Sequence, residues 1–167
     1  MAAPTARPKK KTIRSIPQER TPAPEQDPKV RARNFDEVSL GYGLEQALVE
    51  AERCLQCADE PCVRGCPVGI DIPAFIRKIS EKHLHGAYDI ITDTNLLPSV
   101  CGRVCAAPCE DACRRGNIDE PVSIRALKRY VTEQYGVESR RPGTQDRLLA
   151  PPDPRLAGIE RPILEGN

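Results

Sequence analysis

Apolar side chains recur at helical spacing in residues 44–55, which predicts an amphipathic helix there. The predicted inner face contains Leu44, Ala47, Leu48, Ala51 and Leu55. The charged residues of this stretch, Glu50 and Arg53 among them, are expected largely on other faces. Cys54 and Cys57 are three residues apart, so both are expected on one side of the final turn of this helix.

A second helix is predicted to begin after Asp71, which is a suitable N-cap, with Pro73 in the first turn. Its inner face would contain Phe75, Ile76 and Ile79. The pattern fades by Gly86, so His83 and His85 are expected at the C-terminal end of this helix, where a cation is favourable.

A short third helix is predicted over residues 87–94, with Tyr88 and Ile91 packed inward. Two short helical turns are then expected on either side of a bend near Pro108.

A last helix is predicted over residues 122–135, capped near Ser123 and stopped by Gly136. Its inward residues would be Ile124, Leu127, Tyr130 and Val131. No segment alternates regularly enough to predict a strand, so the expected fold class is all-α.

Proline divides the chain into a central domain and two arms. Six of the 17 prolines precede Val30 and five follow Arg141. We therefore expect an extended basic arm over residues 1–34, a helical domain over 35–136 and an extended tail over 137–167. With six aromatic residues and no Trp, the domain has a small core and would need support from metal or disulfide cross-links.

All eight cysteines lie in residues 54–113 and form two sets of four. The sets are Cys54, Cys57, Cys62 and Cys66, then Cys101, Cys105, Cys109 and Cys113. Pro67 follows the first set directly, and a four-cysteine run that is closed by Cys-Pro is typical of bacterial ferredoxins. Eight thiolates would be enough for two 4Fe–4S clusters.

Zinc and disulfides are the competing interpretations of these cysteines. Structural zinc sites favour pairs of Cys-x₂-Cys hooks, and the chain has one such hook, formed by Cys54 and Cys57. Disulfides require an oxidising compartment, whereas the N-terminus lacks the apolar stretch of a secretory signal. The spacing favours clusters over both alternatives.

The two-cluster ferredoxin arrangement predicts which cysteines share a cluster, because the fourth cysteine of a run there ligates the other cluster. The first cluster would be held by Cys54, Cys57, Cys62 and Cys113. The second would be held by Cys66, Cys101, Cys105 and Cys109. This interlacing would cross-link the two halves of the domain and bring the clusters close enough for electron hopping.

Charge and hydropathy limit the classes of partner. A net charge of +1 argues against nucleic acid, although residues 1–33 hold nine Lys or Arg against three acids. No apolar run is long enough to span a membrane, so we expect a cytoplasmic protein. Seven cations near the cysteines would either raise cluster potentials or serve solubility. They are Arg53, Arg64, Arg103, Arg114, Arg115, Arg125 and Lys128.

The first cysteine set, its continuation Pro67-Val-Gly-Ile-Asp-Ile-Pro-Ala-Phe-Ile and the motif Cys101-Gly-Arg-Val-Cys105 resemble a known family. They are similar to the N-terminal iron–sulfur domain of the glutamate synthase small subunit, of dihydropyrimidine dehydrogenase and of NADH-dependent ferredoxin:NADP oxidoreductase. The resemblance covers roughly residues 20–136. It implies an α-helical ferredoxin with two 4Fe–4S clusters that relays electrons between a flavin and a second redox partner.

Two local departures from that family concern the second cysteine set. Family members commonly have two more residues than the Ala106-Ala-Pro108 segment found here. They also often supply a Glu or Gln ligand from the following helix, where this chain has Lys128. Because a protonated amine has no lone pair for iron, we expect Cys101 to take that ligand's place.

The resemblance also implies flavin- and NAD(P)-binding domains, whose glycine-rich turn is missing after Gly136. The expected function is therefore an electron-transfer subunit that is not catalytic alone. Its expected partners are a flavoprotein NAD(P)-binding subunit and another redox subunit. Two alternatives remain: a structural adaptor stabilised by clusters or zinc, and a fragment of a longer oxidoreductase.

Overall fold

The computed structural model describes residues 16–136 and 139, so the predictions for residues 1–15, 137–138 and 140–167 lie outside the described residues. The described part is helical, with one isolated bridge, between Glu25 and Ser39, in place of a sheet. This confirms the all-α fold class. The helices are α1 (Pro28–Arg31), α2 (Leu44–Glu52), α3 (Pro61–Arg64), α4 (Ile72–Ser80), α5 (Leu84–Thr94), α6 (Pro98–Val104), α7 (Pro108–Asp111) and α8 (Ile124–Tyr135).

The core lies between α2, α4, α5 and α8, and α6 packs along the other side of α8. The most deeply buried apolar side chains include Ile72, Phe75, Ile76, Ile79, Ile91, Leu127 and Val131. Gly102 allows α6 to approach α8 closely, because a Cβ there would lie 3.0 Å from the Arg129 Cα atom. The long α8 therefore connects the core to the part of the chain that carries the second cysteine set.

The predicted caps of α4 and α8 are confirmed. Asp71 accepts a hydrogen bond from the backbone N–H of Ala74, as an N-cap carboxylate does. Ser123 is the N-cap residue of α8, and Gly136 is its C-cap. The inward residues predicted for both helices are buried.

The prediction for α2 was wrong at its C-terminal end. The helix ends at Glu52 with Arg53 as its C-cap, the chain is no longer helical at Cys54, and Gln56 further on is left-handed (φ 51°). Cys54 and Cys57 therefore lie in a loop rather than on a helical turn. Glu50 and Arg53, predicted away from the apolar face, are completely buried because they form an ion pair with each other.

The boundary between the second and third predicted helices was also wrong. α4 ends at Ser80, Lys82 is left-handed (φ 59°), and α5 begins at Leu84 rather than near Ala87. His83 is thus the N-cap residue of α5 and His85 lies in its first turn, not at a helix C-terminus. His85 Nδ1 lies 3.0 Å from Asp89 Oδ2, and its ring contacts Tyr135 edge-on.

The described part of the N-terminal arm runs over the helical domain instead of away from it. Arg20 donates from Nε to the Ser123 hydroxyl at 2.6 Å and pairs with Glu110 at 2.5 Å. The Thr21 N–H donates to Glu50 at 2.8 Å, and the Tyr42 hydroxyl donates to the Thr21 carbonyl. Residues near position 20 are therefore fastened to both α2 and the start of α8.

Candidate iron–sulfur centres

Four of the predicted ligands line a single pocket, which we call the first thiol pocket: Cys54, Cys57, Cys62 and Cys113. Cys54 and Cys57 lie in the loop after α2, and Cys62 lies in α3. Cys113 directly follows Ala112, the C-cap of α7. The rest of the wall is mainly apolar and includes Leu55, Ile72, Pro73, Ile76, Val122 and Ile124. The cysteines predicted for the first cluster are thus brought together.

The thiols of this pocket are desolvated. Burial raises the pKa of Cys54 and of Cys62 from 9.0 to about 11, and the neighbouring Cys113 adds to both shifts. Burial also raises the pKa of Cys57, against the opposing influence of Arg114. Near neutral pH, these thiols therefore stay protonated unless a positive centre binds their thiolates.

A second thiol group contains Cys66, Cys105 and Cys109. Burial raises the pKa of Cys109 to about 12, and the negative charges of Glu110, Cys66 and Cys105 act in the same direction. Lys128 acts in the opposite direction on the same thiol. Two of the cysteines predicted for the second cluster, Cys66 and Cys105, therefore lie close enough to Cys109 for their charges to act on its thiol.

Cys101, the fourth ligand predicted for the second cluster, lies one helical turn before Cys105 on α6. Its thiol donates to Asn95 Oδ1 at 3.7 Å, and that oxygen also accepts from the backbone N–H of Leu97 at 3.2 Å. Asn95 is buried, and its Nδ2 has no hydrogen-bond partner among the described residues. A polar N–H donor thus lies buried in the immediate surroundings of Cys101.

The two cysteine sets meet through a pair of similar turns, α3 and α7, each taken with the two residues that follow it, which we call the paired Pro-Cys turns. Each follows a left-handed residue, Glu60 (φ 43°) or Ala107 (φ 58°), and begins with Pro-Cys. Each also ends with a small residue and a second cysteine, in the sequences Glu60-Pro-Cys-Val-Arg-Gly-Cys66 and Ala107-Pro-Cys-Glu-Asp-Ala-Cys113. Sequence analysis identified the cysteines but not this local repeat.

Gly65 makes the contact between the paired Pro-Cys turns possible. A Cβ at this position would lie 2.8 Å from the Ala112 Cβ and 3.2 Å from the Pro108 carbonyl oxygen. Because the turns pack this closely, the first cysteine of each lies with the second cysteine of the other. Cys62 shares the first thiol pocket with Cys113, and Cys109 interacts with Cys66.

An ion network that sequence analysis missed lies behind the first thiol pocket. This buried ion network contains Glu50, Arg53, Arg115 and Asp119. Arg53 donates to Glu50 Oε1 at 2.9 Å and to Asp119 Oδ1 at 3.1 Å. Arg115 forms a bidentate ion pair with Asp119, from Nε to Oδ1 and from Nη2 to Oδ2. The i,i+3 spacing of Glu50 with Arg53 and the i,i+4 spacing of Arg115 with Asp119 were the signals available in the sequence.

The donor set fits an iron–sulfur cluster. Four thiols around an apolar pocket match the Cys₄ ligation of 4Fe–4S proteins, and all eight cysteines are free of disulfide bonds. Within residues 16–136 and 139, no three Cys, His, Asp or Glu side chains converge closely enough to hold a single metal ion. The cysteines of the first group line one pocket with mainly apolar walls instead.

Residues 31–139 match the family described as dihydropyrimidine dehydrogenase domain II, 4Fe–4S cluster. The chain belongs to this family. The match confirms the resemblance inferred from the cysteine motifs, and with it the 4Fe–4S type of cofactor. None of the helices in residues 16–136 combines the length and hydropathy needed to cross a bilayer.

Three relatives illustrate the range of proteins that contain similar sequence. Subunit PreT of NAD-dependent dihydropyrimidine dehydrogenase from Escherichia coli (strain K12) is 39% identical over 116 residues, covering 66% of this chain and 28% of that protein. The subunit beta of NADPH-Fe(3+) oxidoreductase from Geobacter sulfurreducens (strain ATCC 51573 / DSM 12127 / PCA) is 46% identical over 117 residues, covering 69% of this chain and 17% of that protein. The subunit beta of NADP(+)-dependent formate dehydrogenase from Moorella thermoacetica is 46% identical over 82 residues, covering 49% and 12%. The chain therefore spans less than a third of the length of each of these relatives.

Proposed function

We propose that this chain is an electron-transfer module with two 4Fe–4S clusters, which relays electrons between a flavin- or NAD(P)-linked partner and a second redox partner in a cytoplasmic complex. When bound, such clusters accept and release single electrons. The names of the relatives support the proposal, because each is a subunit of an NAD(P)-dependent dehydrogenase or oxidoreductase. Family membership supports the type of cluster.

The first cluster would be held by Cys54, Cys57, Cys62 and Cys113. The second would be held by Cys66, Cys101, Cys105 and Cys109. The packing of the paired Pro-Cys turns supports the crossed part of this assignment, because each turn contributes one cysteine to each group.

The chain's own residues would exclude water from the first cluster and hold its ligands. Ile72, Ile76 and Ile124 form an apolar wall, which strengthens electrostatic interactions inside the pocket. At the rim, Arg114 pairs with Asp59, and both side chains are about half exposed. The rim beside Cys57 is thus more exposed to solvent than the apolar wall. We expect an electron to pass to a partner at this rim.

Anaerobic purification tests the proposal directly. We expect about eight irons and about eight acid-labile sulfides per chain, with visible absorbance that dithionite bleaches. Copurification of a tagged chain should recover a flavoprotein. A colourless protein that contains zinc and no acid-labile sulfide would contradict the cluster assignment and support a structural adaptor.

A further inference from the structure

The side-chain amide of Gln56 contacts the sulfur of Cys54, which is one of the four cysteines of the first thiol pocket. Gln56 Nε2 donates to Cys54 Sγ at 3.3 Å and to the backbone carbonyl of Pro73 at 3.1 Å. A primary amide nitrogen carries two hydrogens, so each of these acceptors can take one. The amide therefore supplies an N–H donor to a cysteine that we assign to the first cluster.

The orientation of this amide is fixed by its neighbours. Arg77, on α4, donates from Nε to Gln56 Oε1 at 3.2 Å. An amide turned by half a rotation would place its NH₂ group against the Arg77 N–H and its oxygen against the Pro73 carbonyl. The three contacts therefore favour the orientation that directs an N–H at Cys54. The positive charge of Arg77 also polarises the amide, which strengthens its N–H donors.

The backbone at Gln56 resembles the backbone beside the second thiol group. Gln56 (φ 51°) and Ala107 (φ 58°) are both left-handed, and each lies two residues after a cysteine, Cys54 or Cys105. The backbone N–H of Ala107 donates to Cys105 Sγ at 3.3 Å. Left-handed geometry is costly for residues other than glycine and is often retained where a functional site needs it. An N–H···S contact from the left-handed residue thus occurs in both cysteine sets.

A donor to a ligand sulfur affects the reduced and oxidised states of a cluster differently. Reduction adds negative charge, part of which lies on the sulfurs, and a hydrogen bond to the more negative form favours that form. The bond from Gln56 therefore acts to raise the reduction potential. Because Gln56 is exposed, solvent water would partly take the place of a lost amide donor, so the expected shift is modest.

We propose that Gln56 is a positioning residue for the first cluster, whose amide donates an N–H···S hydrogen bond to the Cys54 ligand and thereby raises the reduction potential of this cluster. The inference rests on the proposed function, because it requires Cys54 to bind iron. Gln56 acts through the sulfur of Cys54 and is not itself a ligand. The second cluster, which lies away from this amide in our assignment, should keep its potential when the amide is removed.

Redox titration of the intact chain, followed by electron paramagnetic resonance, tests the proposal. Gln56→Met removes the amide donor and keeps a side chain of similar length. It should lower the midpoint of the first-cluster signal, the one that Cys62→Ser removes, by about 30 mV, since a tenfold change in a one-electron equilibrium is 59 mV and we expect about a threefold change. Gln46→Met is the matched control, because the Gln46 amide accepts from the Gly43 N–H at the other end of α2, and it should leave both midpoints unchanged.

The outcomes separate this inference from the proposed function. A native chain without acid-labile sulfide would overturn both. Two intact clusters with native midpoints in Gln56→Met would overturn the role of Gln56 alone. If Gln56→Met lost the first cluster, Gln56→Gly would decide, because glycine adopts the left-handed backbone without strain and also lacks the amide. A first cluster with a lowered midpoint in Gln56→Gly would support the hydrogen bond, and a native midpoint there would overturn it.

Discussion

The guanidinium of Arg115 donates from Nη1 to the backbone carbonyl of Arg53 at 3.1 Å. Arg53 immediately precedes Cys54, and Arg115 follows Cys113 by two residues. The bond therefore connects the two segments that bring their cysteines to the first thiol pocket from opposite ends of the cysteine region. Asp119 fixes the same guanidinium, so the connection is rigid as well as buried.

Replacement of Arg115 by Met should destabilise the protein and release the first cluster. The change leaves Asp119 with a single cationic partner and removes the bond to Arg53, so we expect a loss of about 3–5 kcal/mol in the free energy of unfolding. Guanidinium-induced bleaching of the visible absorbance measures it. Arg114→Met, in the adjacent exposed residue, should cost no more than about 1 kcal/mol. Equal bleaching midpoints for the two variants would contradict the role of Arg115 in connecting the two segments.

Gly65→Ala should separate the paired Pro-Cys turns. The added methyl group would overlap Ala112, at an expected cost of about 1–3 kcal/mol and with loss of iron from both clusters. Addition of Ala112→Gly removes the nearest clashing atom and should restore part of the iron. Gly43→Ala is the control, because a Cβ there would meet Gln46 at an ordinary 3.7 Å. Full iron content in Gly65→Ala would show that the close contact is dispensable.

The crossed assignment can be tested by sorting cysteine variants. Cys66 belongs to the first sequence set but is assigned to the second cluster, so Cys66→Ser should remove the same paramagnetic signal as Cys109→Ser. Cys62→Ser and Cys113→Ser should both remove the other signal. If the single variants Cys62→Ser and Cys66→Ser each removed the same signal, each sequence set would instead bind its own cluster.

Cys101→Ser tests the fourth ligand proposed for the second cluster, whose thiol contacts Asn95. If Cys101 is the fourth ligand, the variant should lose iron and change the spectrum of the second cluster only. Ser99→Ala, on the same helix, should retain about eight irons. Native iron content and spectra in Cys101→Ser would show that the second cluster has three cysteine ligands from this chain.

Cluster assembly should depend on pH, because the thiols must lose protons that burial makes them hold. The pKa of Cys54 is raised from 9.0 to about 11 and that of Cys109 to about 12. Iron content after reconstitution should therefore be lower at pH ~6 than at pH ~8.5. Equal iron content at the two pH values would mean that desolvation of the thiols does not limit assembly.

The same pKa shifts predict the alkaline behaviour of the protein without iron. Between pH 9.0 and about 11, the folded chain keeps the Cys54 proton that the unfolded chain has released, so the free energy of unfolding falls as the pH rises through this window. Cluster-bound thiolates have no such proton to lose. Urea unfolding at pH ~8 and pH ~10.5 tests this expectation. The free energy of unfolding should fall between these two pH values for the protein without iron, and it should fall less for the protein with bound clusters.

Local signals in the sequence predicted most of the helices. The apolar spacing and caps of α4 and α8 depend on residues close together in the chain, and both helices formed as expected. The end of α4 was misjudged because a left-handed residue such as Lys82 carries no strong local signal. The helical pattern around Glu50 and Arg53 could not show that they compensate each other's charge in the core.

The sequence by itself determined the ligand chemistry, because eight cysteines in two spaced sets and a closing Cys-Pro specify thiolate ligation whatever surrounds them. The ferredoxin arrangement predicted which distant cysteines would share a cluster, but only the tertiary structure decided how they meet, through the contact of Gly65 with Ala112. It also decided which cations are neutralised. Arg53 pairs with Asp119, which lies 66 residues away in the chain. Spacing along a chain fixes the distance between neighbours, but burial and charge balance arise from segments that only folding brings together.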